Sequence, residues 1–266
     1  MDPFSRRSFL GTLSAVALVP AFVPRAAGQS TEGASPPSSF PRQDPALARE
    51  VVGASHANLA RVKELVSARP ALARAAWEWS LGDWETAIGA ASHVGNKEIA
   101  AVLLAAGAHP TIFSAAMLGQ LDAVKGFVAA APGIQRTRGP HGISLLDHAR
   151  AGEASEVVKY LETLGDAGER YPNEPMAEGD PEALLGLYTF GPAPTDRLEV
   201  TRNTRGILVL RHEGGGQNNL FHHGRRVFNP SGAEAVRIRF EPATGVVRSV
   251  VVEDGPVKVT AVRQPQ

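Results

Sequence analysis

Apolar residues return every three or four positions between about residues 46 and 165, and every second position after about residue 183. The first period belongs to helices packed along one face, the second to strands with one buried side. In the helical stretch, Ile99, Val102, Leu103 and Leu104 share a face, and Val62, Leu65 and Val66 make a weaker one. In the strand region, Val236, Ile238 and Phe240 alternate with Arg237, Arg239 and Glu241, which sets an apolar side against a charged one. Leu198 and Val200, 207–210, Leu220 and Phe221, Val227 and Phe228, 246–252 and 257–262 supply further strands. Turn residues at 203–206, 214–216, 230–232, 243–245 and 254–256 separate them. Such short, regular strands predict a meander closing into a small antiparallel β barrel or half-barrel.

The helical stretch also repeats. Its clearest unit runs from Asp83 to Pro110: Thr86 caps a first helix, Ala91 and Ser92 allow close packing, Gly95 permits a tight turn, and Gly107-Ala108-His109-Pro110 closes the pair. Ala57, Gly119 and Gly152 head similar second helices, at spacings of 38, 24 and 33 residues around Gly95 and one another. The unit resembles an ankyrin repeat, whose period is about 33 residues. That resemblance implies about four stacked repeats over 46–165 and a concave face offered to a partner. The strand region, through Leu185-Gly186-Leu187-Tyr188, 198–202, 236–241 and Gly245-Val246-Val247, is similar to the lipocalin-like domain appended to hydrolases of the penicillin-binding and β-lactamase superfamily. This implies architecture more than activity.

The fold class expected is therefore α + β in separate domains, an ankyrin-like array followed by a β barrel or half-barrel. The chain divides into a signal peptide at 1–28, a flexible Ser-, Pro- and Gly-rich segment at 29–45, the array at 46–165, an acidic, Pro-containing linker at 166–182 and the β domain at 183–266. The signal resembles the twin-arginine type: Arg6-Arg7 before an apolar run from Leu10 to Val23, then Ala26-Ala27-Gly28. It implies a periplasmic or secreted protein, with no membrane span once removed.

Charge and cysteine content narrow the function. The chain carries 27 basic and 27 acidic residues and no cysteine. The charge balance gives no electrostatic case for nucleic-acid binding. The lack of cysteine excludes disulfides, Cys-ligated zinc, iron–sulfur clusters and a thiol nucleophile.

No serine-hydrolase, phosphate-loop or His-Glu-x-x-His motif is present, so no catalytic residue, cofactor or metal ligand is assigned and the chain reads as a non-enzyme. His212, His222 and His223 are candidate metal ligands for a subordinate enzyme reading, although adjacent His222 and His223 point to opposite faces of a strand. Arg225, Arg226 and His223 are a candidate anion site in a region with eleven basic and seven acidic residues. Gly214-Gly215-Gly216 reads as a flexible hairpin. Trp77, Trp79 and Trp84 precede the second repeat and either anchor a partner or seal the wide interval between repeats. The expected partner surface is Trp84, Asp83, Glu85, Ser92 and His93, extended by Met117 and Leu118. The leading expectation is an unidentified protein partner bound on the concave face; the alternative is a small apolar or anionic ligand held by the β domain.

Overall fold

The computed structural model describes residues 38–265 apart from Phe40. The export signal and its paired arginines lie outside the described residues. Ten-residue helices α1 (Pro45–Ala54) and α2 (Leu59–Ala68) open the fold. A hairpin of β1 (Ala76–Glu78) and β2 (Trp84–Thr86) follows. Then come α3 (Ala87–His93), α4 (Lys97–Ala105), α5 (Ile112–Met117), α6 (Leu121–Ala130), α7 (Leu145–Ala151) and α8 (Ser155–Leu164). Helix starts are fixed locally: Asp44, Asn58, Thr86, Asn96, Thr111 and Ser144 each accept a backbone N–H of the first turn.

After a short helix α9 (Asp180–Leu184), eight strands run β3 (Gly186–Thr189), β4 (Arg197–Arg202), β5 (Leu208–His212), β6 (Gln217–His222), β7 (Val227–Pro230), β8 (Arg237–Glu241), β9 (Ser249–Asp254) and β10 (Val257–Arg263). Each pairs antiparallel with the next, and β10 returns to β3, so the barrel is closed and leaves no sheet edge. Ile238 and Phe240 point inward while Arg237 and Glu241 face solvent, the alternation written in the sequence. Inside, the Tyr188 and Phe228 rings meet Phe240 edge-on, at 5.9 and 5.6 Å between centroids, and fill one part of the barrel.

The helices are not a separate array followed by a barrel. Residues from Ser39 onward form one compact unit in which helices, hairpin and barrel interlock. The hairpin loop reaches across to the barrel: Gly216 N donates to Trp79 O at 2.6 Å, and Leu81 packs on the barrel core. Asn218 Nδ2 donates to Asp83 Oδ2 at 3.4 Å. Two glycines make this approach possible. A Cβ at Gly216 would lie 3.1 Å from Trp79 Cβ, and one at Gly232, whose φ is +76°, would lie 2.2 Å from Asp83 Oδ1. Residues 166–182 complete the seam, with Tyr171 buried and Glu174 N donating to His222 O at 2.9 Å. Asp83, expected on a surface open to another protein, is thus covered by the chain's own barrel.

Candidate functional site

The site grows out of the hairpin. Trp77 pairs with Glu85 and Glu78 with Trp84, and the alternation of β2 turns Trp84 and Thr86 outward and Glu85 inward. Trp84 is 65% exposed, whereas Asp83 and Glu85 are 1% exposed. The Thr86 hydroxyl accepts from Gly89 N at 3.0 Å, so the strand runs directly into α3. His93 ends that helix about two turns further on. His56 comes from the turn after α1, and His141 from the Pro140–Gly142 turn before α7. Four side chains distant in sequence therefore meet above one end of the hairpin.

Their donor atoms all lie within 4.8 Å of one another. Glu85 Oε1 is 3.0 Å from His93 Nε2 and 3.3 Å from His141 Nε2, while Oε2 is 3.5 Å from His56 Nε2. Each outer ring nitrogen of two histidines is held from behind. His141 Nδ1 lies 2.7 Å from Asp83 Oδ2, and its backbone N–H donates to Asp83 Oδ1 at 2.9 Å. His56 Nδ1 lies 3.0 Å from Gly53 O. A carboxylate and a carbonyl can only accept, so Nδ1 carries the proton in both rings and, in the neutral form, Nε2 presents a lone pair to the cluster. Trp79 Nε1 donates to Glu85 Oε2 at 2.7 Å. Yet Glu85 Oε1 and His93 Nε2, both buried, make no hydrogen bond.

Electrostatics fix the charge of the pair. Burial opposes ionisation of Glu85, but the imidazoles of His141 and His93 outweigh it and hold its pKa down at about 2. Burial likewise opposes a charge on His141, and Asp83 and Glu85 overcome that and raise it to about 10. Without another cation, His141 is thus the protonated partner of two carboxylates. His141 also sits at φ +58°, a left-handed conformation a non-glycine residue adopts at a cost of about 1–2 kcal/mol. The double contact with Asp83 holds it there.

A second feature adjoins the first through Trp79. The barrel end covered by the hairpin keeps a cavity of about 560 Å³ between Trp79 and Leu81 on one side and Leu198, Val252 and Val259 on the other. Phe190 stacks on His212 at its rim, 6.1 Å between ring centroids, with Arg49 and Glu213 nearby. The surface of the lining is mostly apolar, and Glu78, Ser80 and Thr195 add further polar groups to it.

No family model matches the chain, and no curated protein does. A crystal structure of SurE is similar to part of it, at 24% identity over 44% of this chain and 28% of that one, with a TM-score of 0.26. So partial a likeness carries no argument about fold or activity. The ankyrin and lipocalin-like assignments find no family match to stand on, and none of these comparisons brings a signal segment or a compartment.

Of the expected partner surface, Trp84 alone is broadly exposed. Asp83, Glu85, Ser92 and Met117 are buried, His93 is mostly buried, and Leu118 packs against the helical core. Arg226 is buried against Asp180 and also donates to Pro242 O and Gly245 O, while His223 is bonded to Asn229, so neither is free for an anion. Arg225 lies beside Arg239 and Arg248 around a shallow surface pocket. His212 sits at the cavity rim and His222 faces the barrel interior against Phe228. Among the described residues, the group of side chains placed to hold a metal includes none of these three β-domain histidines. His56 and His141 were not singled out by the sequence: they come from separate turns with no local spacing to join them. The one local signal was the tight Gly139-Pro140-His141-Gly142 turn.

Proposed function

We propose that the protein binds a small, mainly apolar molecule at the hairpin-covered end of its closed barrel. The observation that carries this reading is the cavity of about 560 Å³ at that end, bounded by aromatic and aliphatic side chains while the Tyr188, Phe228 and Phe240 rings fill the interior elsewhere. A volume of this size suits a ligand of about two or three rings or a comparable aliphatic chain, since sites of about 300–1,000 Å³ take drug-sized molecules. Arg49, His212 and Glu213 at the rim would orient one polar end of such a ligand. The reading favours an apolar over an anionic ligand at this end because, of the three expected anion-binding groups, Arg226 and His223 are engaged elsewhere and Arg225 lines a separate surface pocket.

The neutral fluorophore N-phenyl-1-naphthylamine tests it. Saturable enhancement of its emission by the wild-type protein, diminished about tenfold in apparent affinity by a cavity-filling Val259→Trp substitution, is the expected result. No saturable enhancement by the folded wild-type protein contradicts the reading. No described helix is long and apolar enough to cross a membrane.

A further inference from the structure

We infer that His56, Glu85, His93 and His141 form a binding site for one divalent transition-metal ion of the zinc class. Four arguments lead there, each from a different property of the cluster. The first is spacing. Bonds of about 2.0–2.1 Å to a tetrahedral ion put neighbouring ligand atoms about 3.3–3.4 Å apart. Glu85 Oε1 lies 3.0 Å from His93 Nε2 and 3.3 Å from His141 Nε2, its Oε2 lies 3.5 Å from His56 Nε2, and the four ligand atoms lie within 4.8 Å of one another, close enough to contract onto one ion.

The second is satisfaction. A buried carboxylate oxygen and a buried imidazole nitrogen that stand 3.0 Å apart without hydrogen-bonding are costly in an empty polar pocket. Both become ligands when a cation lies between them. Other buried ring nitrogens also lack partners, His148 Nε2 beside Phe113 and His222 Nε2 beside Phe228. Those two face aromatic rings, whereas here the unsatisfied atoms converge.

The third is support from behind. Asp83 on His141 Nδ1 and the Gly53 carbonyl on His56 Nδ1 fix the tautomer that directs each Nε2 inward, an arrangement that also raises imidazole basicity toward a metal. The indole of Trp79 orients the Glu85 carboxylate in the same way. The fourth is donor chemistry. Three imidazoles and one carboxylate suit Zn²⁺ and its first-row neighbours and are a poor set for Mg²⁺ or Ca²⁺, which take oxygen ligands.

The ion would tie together four segments: the turn after α1, strand β2, the end of α3 and the turn before α7. It would also set the position of Trp79, a wall of the barrel cavity, through Glu85. The site does not depend on the apolar-ligand reading, and the two fail separately because one is read by metal titration and the other by the fluorophore.

Calorimetric titration of the chelator-stripped full chain with Zn²⁺, with a parallel Co²⁺ titration followed by visible absorption, tests the assignment. The expected result is one equivalent of either ion and the intense d–d bands of four-coordinate Co²⁺. His56→Ala and His93→Ala should each weaken Zn²⁺ binding by about a hundredfold or more, and Asp83→Asn by about ten- to a hundredfold, since it acts through His141. His56 lies in a turn with its side chain 30% exposed, so its variant is the one expected to keep the fold if the others do not. Absence of stoichiometric binding to the folded wild-type chain overturns the assignment. So does wild-type affinity in a folded His56→Ala protein.

Discussion

Two buried polar clusters, one in the barrel and one at its seam with the helices, solve the same problem in opposite ways. Around Arg226 the donors are matched: Nε and Nη2 meet Asp180, and Nη1 meets the carbonyls of Pro242 and Gly245 at 3.1 and 2.9 Å. Around Glu85, one carboxylate oxygen and one imidazole nitrogen remain without a hydrogen bond although the groups are in reach. Each cluster also holds a non-glycine residue at positive φ, Arg226 at +58° and His141 at +58°. A saturated network of this kind fixes a turn and needs nothing further. In an unsaturated one the converging ligand atoms can hold a metal cation in place of the proton that His141 otherwise carries.

The comparison can be broken most forcefully at Arg226. Arg226→Ala leaves three acceptors without their donor and should cost about 3 kcal/mol or more by denaturant unfolding, with or without Zn²⁺. A loss that Zn²⁺ restores would mean that the two clusters are not independent.

Acid provides the next largest effect. Burial pushes the pKa of His148 down to about 4, only partly opposed by the Ser144 carbonyl. Because the folded value lies below the ordinary one near 6.5, the contribution is complete above pH 6.5 and is lost as pH falls from there through 4. A shift of that size corresponds to about 3 kcal/mol at most. Unfolding midpoints measured between pH 7 and 4 in wild type and His148→Gln should converge as the pH drops. Parallel curves would remove this role for His148.

Metal linkage should be slightly smaller. Zn²⁺ at a hundred times the wild-type dissociation constant is expected to add about 2.7 kcal/mol to the wild type and about 0.4 kcal/mol or less to His93→Ala. The smallest effect belongs to Trp84→Ala, where an exposed side chain on the outer face of the hairpin should change stability by about 0.5 kcal/mol or less and leave fluorophore binding alone. A large effect there would indicate a surface role that the fold does not explain.

Much of the secondary structure was legible because it is local. The cap at Thr86, the helical periodicity through Leu103 and the alternation from Val236 to Glu241 all state their conformations within a few residues. What periodicity could not carry was the docking of one half on the other. That contact is made by glycines, Gly216 and Gly232, which read in the sequence only as turns, and by a tight loop with Leu81 at φ +59°. The missed docking led to the separate array and its open concave face. The same limit hid the polar cluster: Glu85 and His93 were visible as members of a rim, but nothing along the chain joined them to His56 and His141, 29 residues before Glu85 and 48 after His93.

X-ray absorption at the zinc edge of the loaded protein tests the unsaturated cluster most directly. The account calls for a first shell of three imidazole nitrogens and carboxylate oxygen at about 2.0–2.1 Å. A shell of oxygens with no imidazole scattering, or a protein that retains no zinc after gel filtration, would show that the open valences above the hairpin are not a metal site.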